Sequence, residues 1–187
     1  MKSLVIVFTL LATQFSYADS FEIIREGKRY SCHAEEDVAG SSCASASLRR
    51  LGHVTSDCSR IQNDAQDMCA ARSIEKLGHV TNACLRLNEG GRCAIASLEK
   101  MSHVTSECTR IQNSAQDMCA ARSIEKMGHV TSECLRLSEG GRCAIASLEK
   151  MGHVSSDCSR ITNRRQDICA EESIKKLGHV SSECLRM

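Results

Sequence analysis

CAARSIEKLGHVTNAC, residues 69–84, holds two cysteines fifteen positions apart, a serine four after the first, and a His-Val pair ten and eleven after it. The pattern occurs six times, at Cys43–Cys58, Cys69–Cys84, Cys93–Cys108, Cys119–Cys134, Cys143–Cys158 and Cys169–Cys184. Successive units start 26, 24, 26, 24 and 26 residues apart, so the true period is 50. Self-similarity at a fixed period is the mark of a stacked repeat array, in which each unit buries its apolar face against its neighbours.

Each unit opens on a helix. From Gln66 to Leu77, the residues Ala70, Ser73, Ile74 and Leu77 share one arc of a 3.6-residue period, while Glu75 and Lys76 fall outside it. Gly78 then supplies the left-handed residue that ends a helix, with Val80 placed for the accompanying hydrophobic contact. Ser102 stands where the other units have Gly and predicts a weaker end. Thr81, like Thr55, Thr105, Thr131, Ser155 and Ser181, reads as the N-cap of a second, shorter helix such as 82–88. Polar connectors follow, Asn88-Glu89-Gly90-Gly91 alternating with the type Gln62-Asn63-Asp64-Ala65. The expected fold is all-α: a disulfide-stapled α-solenoid of short helical-hairpin repeats.

The flanking sequence sets the compartment. Residues 1–18 carry Lys2, an apolar run from Leu4 to Ala12 and a small-x-small Ser16-Tyr17-Ala18, the pattern of a secretory leader cleaved after Ala18. Residues 19–31 read as a small β-hairpin that would cap the stack, with Glu26-Gly27 as its turn. Residues 32–187 form the cysteine-rich repeat domain, opened by a half unit at Cys32–Cys43. No later apolar run has membrane length, so a soluble secreted or periplasmic protein is expected.

Composition narrows the function. The 24 Lys+Arg against 23 Asp+Glu lack the basic excess of a nucleic-acid binder, and removing the leader takes away only one cation, Lys2. There is no proline or tryptophan, and all five aromatic residues lie in the first thirty positions. The repeats must build their core from aliphatic side chains and cysteine. Thirteen cysteines in an exported chain read as a disulfide framework.

Two regular pairings compete. Each unit can close on itself, as Cys43–Cys58, or the bonds can bridge the polar connectors: Cys32–Cys43, Cys58–Cys69, Cys84–Cys93, Cys108–Cys119, Cys134–Cys143 and Cys158–Cys169. In an antiparallel helix pair the first option misaligns the cysteines by about six residues, roughly 9 Å of helix rise. Disulfides need Cα atoms about 4.4 to 6.8 Å apart. That geometry favours the connector pairing, which leaves Cys184 unpaired and open to an intermolecular bond in a homodimer.

Several repeated residues could carry chemistry. His53, His79, His103, His129, His153 and His179, with the cysteines, raise a copper- or zinc-sequestering alternative. Against it, an exported chain oxidises its thiols, and one His per unit makes a ladder and not a cage. Each His is also placed to bond the carbonyls at a helix C-terminus. Arg60, Arg86, Arg110, Arg136 and Arg160 form a second ladder, the candidate interaction surface for a protein or cell-surface partner. The recurrent Ser47, Ser73, Ser97, Ser123, Ser147 and Ser173 read as small packing residues, with no base and acid spaced for a hydrolase triad. No cofactor motif is present. In plan, the array resembles the disulfide-stapled helical repeats of bacterial cysteine-rich Sel1-like proteins, which have a longer period and a different cysteine spacing. The resemblance covers architecture and carries over no functional residues. The sequence therefore points to a non-enzymatic exported scaffold.

Overall fold

A computed structural model of the chain describes residues 19–25, 28–34 and 40–187. The leader and the Glu26-Gly27 turn lie outside the described residues. The chain divides into two compact units between Val38 and Ala39.

The first unit is an antiparallel hairpin, β1 (Asp19–Arg25) paired with β2 (Lys28–Ala34), in a register that sets Phe21 opposite Cys32 and Ile23 opposite Tyr30. The second holds six α-helices: α1 (Ser41–Leu51), α2 (Asp64–Leu77), α3 (Gly91–Met101), α4 (Ser114–Met127), α5 (Gly141–Met151) and α6 (Arg164–Leu177). Each helix packs on its neighbours in chain order. The result is a disulfide-stapled α-solenoid of helical hairpins whose second arm is only a 3-10 turn, for example Ser56–Arg60 or Cys84–Arg86.

The expected second α-helix is thus a correction. After Gly78 (φ 82°) the chain runs back through a short stretch without helical structure before tightening at Cys84. The equivalent Thr55 has φ −71° and ψ 145°, in the extended region. The β-branched Val that follows each His, itself followed in four units by β-branched Thr, favours this conformation. A seven-residue helix would in any case be marginal.

The extended return also corrects the disulfides. The bonds are Cys43–Cys58, Cys69–Cys84, Cys93–Cys108, Cys119–Cys134, Cys143–Cys158 and Cys169–Cys184, with Cα atoms 5.3–5.6 Å apart. None of the connector pairs Cys32–Cys43, Cys58–Cys69, Cys84–Cys93, Cys108–Cys119, Cys134–Cys143 or Cys158–Cys169 forms, because Cys43 and its eleven successors are all spent within units. Cys184 is bonded to Cys169 and gives no intermolecular link. The mismatch of helix rise disappears because the return is not helical. Eight residues of helix from Cys69 to Leu77 climb about 12 Å. Six residues from Gly78 to Cys84, at up to about 3.3 Å each when extended, cover the same distance.

A second consequence is that the helices run in the same direction. The N-terminal turn of α1 meets that of α2 through the Asp67 carboxylate, and near their C-termini Arg49 bonds Glu75. Gly91 at the start of α3 lies against Ala65 and Met68 at the start of α2. Between the helix layer and the returns sit Ile74, Leu87, Leu98, Ile111, Ile124, Leu137, Leu148, Ile161 and Ile174, all fully buried, with the disulfides.

Ser102 takes the left-handed C-cap conformation (φ 62°) that Gly holds elsewhere, and its N–H still bonds Leu98 O at 3.2 Å. A side chain in this region costs about 1–2 kcal/mol. Ser102→Gly should therefore raise the stability of the oxidised protein by about 1 kcal/mol in a denaturant titration.

Candidate interaction surface

Parallel helices give the array two edges and two faces. One edge gathers six helix N-termini and the other six C-termini. One face is made of helices and the other of returns.

At the N-terminal edge the two kinds of unit are capped differently. Asn63, Asn113 and Asn163 cap α2, α4 and α6 by accepting from the N–H of Gln66, Gln116 and Gln166. Helices α1, α3 and α5 begin after Gly40, Gly90 and Gly140 and have no cap from their own side chains. Their caps come from the next helix. Asp67 accepts from Ser42 and Cys43 N–H, Asp117 from Arg92 and Cys93, and Asp167 from Arg142 and Cys143, at 2.8–3.2 Å. The sequence signal was present as a glycine where a cap belongs and an Asp 24 residues beyond each of Cys43, Cys93 and Cys143. Gly90 is further constrained because a Cβ there would lie 2.4 Å from the Cys108 carbonyl oxygen.

Burial pushes the Asp117 carboxyl above the usual aspartate range, against the two backbone N–H groups and the Arg92 charge that favour its ionised form. A carboxyl with a raised folded pKa contributes stability below its unfolded pKa and loses it as pH rises through the folded value. Asp117→Ala, which strands two buried donors, should cost about 2 kcal/mol in thermal or denaturant unfolding.

The six serines are more than packing residues. Each Oγ donates to the backbone carbonyl of the unit's His and accepts from the backbone N–H two residues later, as Ser73 does with His79 O (2.7 Å) and Thr81 N (3.2 Å). Ser47, Ser97, Ser123, Ser147 and Ser173 repeat the bond pair. This clamp ties the return to the helix one turn beyond the disulfide. Ser97→Ala, which leaves a carbonyl and an N–H unpaired, should lower stability by about 2 kcal/mol, measured as a lower denaturant midpoint at unchanged slope.

The proposed caps of the second arm divide. Thr55 and Ser155 accept from Asp57 and Asp157 N–H, whereas the Thr81 and Thr131 hydroxyls lie 3.3 Å from the Cys84 and Cys134 sulfurs.

His53, His79, His103, His129, His153 and His179 are all exposed at the C-terminal edge. The Nδ1 atoms of His103, His129 and His153 lie 3.0–3.3 Å from the carbonyls of Met101, Met127 and Met151, consistent with an N–H donated to the last helical turn. Among the described residues no three His, Cys, Asp or Glu side chains converge as a metal site would require. Every cysteine from Cys43 onward is in a disulfide.

Arg60, Arg86, Arg110, Arg136 and Arg160 are exposed at equivalent positions of the return face and so form one row. Arg60 and Arg160 reach Asp57 and Asp157 at 3.2 and 3.3 Å. Among the described residues Arg86, Arg110 and Arg136 make no ion pair. The helix face differs: Arg72 bridges Glu75 and Glu99, and Arg122 bridges Glu125 and Glu149, each joining one helix to the next. Lys76, Lys100, Lys126 and Lys150 of the same helices are exposed and form no ion pair among the described residues. An open furrow of about 650 Å³ runs between α3 and α4, floored by Ile95, Ala96 and Ala121 and rimmed by Arg92, Glu99, Lys100 and Glu125. Ile95, an apolar residue outside the inward arc of its helix, was the sequence signal for this furrow.

No protein-family model, curated protein or solved structure matches the chain. None of the helices among the described residues is long and apolar enough to cross a membrane.

Proposed function

We propose that the protein is an exported, non-enzymatic scaffold that binds an extended protein or cell-surface partner along the arginine row of its return face. The observation that carries this reading is that Arg86, Arg110 and Arg136 recur once per unit, exposed and without acidic partners among the described residues. A guanidinium presents a planar fork of donors suited to carboxylate or phosphate groups. A row of them across stacked units engages a long partner through many weak contacts, in the manner of solenoid surfaces. On the helix face Arg72 and Arg122 are instead held by Glu75, Glu99, Glu125 and Glu149.

Export is supported by the six disulfides, which belong to an oxidising compartment, and by the leader pattern of residues 1–18. A non-catalytic role is supported by the serine hydroxyls, whose donor and acceptor capacities are both used in the fold. The mature protein should begin at Asp19, which intact-mass measurement on material from its natural compartment checks.

The triple variant R86A/R110A/R136A should keep its stability within about 0.5 kcal/mol and lose capture of the partner from envelope or culture extracts. Equal capture by the variant and the parent protein would sink the proposal.

A further inference from the structure

The junction from α2 to α3 recurs from α4 to α5, and its geometry defines which surfaces meet when an even unit stacks on an odd one. Two features mark it. A cation on the even helix crosses to an acid on the odd helix, as Arg72 to Glu99 and Arg122 to Glu149. At the N-terminal edge a long Met lies over a glycine: a Cβ on Gly91 would come 2.9 Å from Met68 Cε, and on Gly141 3.0 Å from Met118 Cε.

At the two outer faces of the array these residues are changed together. In α6 the Arg72 position is Glu172, and in α1 the Glu99 position is Arg49, so the pair is reversed in sign on both sides. The Met68 position is Ile168 and the Gly91 position is Ser41, so a shorter side chain on one face goes with an added Cβ on the other. Reversing one charge alone would make the two ends repel. Reversing both restores attraction between α6 and a second α1.

Both faces also keep accessible apolar surface among the described residues. Ala44 and Leu48 of α1 are partly exposed, although their counterparts Ala94 and Leu98 are fully buried. On α6, Leu177 is 62% exposed, whereas its counterparts Leu77 and Met127 are half-buried. Arg49 is largely exposed and uses one nitrogen for Glu75, leaving its fork open to a second carboxylate.

We propose that copies of this protein associate end to end, the outer face of α6 on one copy stacking on the outer face of α1 on the next as α2 stacks on α3, with Glu172 bonded to Arg49 across the contact. The contact is heterologous, so it does not close on itself and yields open chains of copies rather than a dimer. It is one unit wide, so association is weak and depends on concentration. It uses neither the arginine row nor any cysteine.

Sedimentation or light scattering of the oxidised full protein tests this. The mass should rise with concentration through dimer and trimer without a limiting stoichiometry. R49E and E172R should each weaken association about tenfold with the helical circular dichroism unchanged. The double variant R49E/E172R, and an equimolar mixture of the two single variants, should associate again. A constant monomer mass up to about 1 mM, or association that neither single variant weakens, overturns the proposal.

Discussion

The array depends on a match of lengths. A helix that climbs about 1.5 Å per residue is closed by a return that covers the same distance in fewer, more extended residues, and the disulfide forms where the two meet at a Cα separation of 5.3–5.6 Å. Everything else follows from that closure. The return ends near the level where its helix began, so the next helix starts at the same edge and runs the same way. Each closed fifteen-residue loop contributes about 3 kcal/mol in the chain-entropy picture. That contribution matters in a repeat core that lacks aromatic rings.

Parallel helices side by side bring like dipole ends together, which the charges at the edges offset. Asp67, Asp117 and Asp167 sit at the positive ends, each shared between two helices. Lysines and arginines fill the last turns, and several histidines add ring contacts to the terminal carbonyls. The carboxylate caps also explain the 50-residue period. An odd helix without its own cap is completed only by the even helix after it, so two units form one cooperative pair.

Surface chemistry separates along the same geometry. On the helix face, charges are used to join neighbours. On the return face, the row of arginines is held out by short 3-10 turns whose only buried residue is the cysteine. Ion pairs join neighbouring helices on the one face, while Arg86, Arg110 and Arg136 on the other form none among the described residues.

Legible in the sequence alone were the repeat, its 50-residue period, the long helices with their glycine ends, the strand-forming character of 19–31 and the reliance on disulfides. These follow from local causes: apolar spacing at 3.6 residues, left-handed glycines and alternating residues near a turn. The clamp role of Ser73 and its equivalents, the borrowed caps and the pairing Cys69–Cys84 were decided only in three dimensions. Each joins groups whose separation depends on the conformation of the return, and assigning helix to residues 82–88 placed the second cysteine too low along its partner. A Val-Thr pair beside a left-handed glycine was the local clue. It took the packed core, with Val80 and Leu87 both buried, to make the extended path the one that closes the unit.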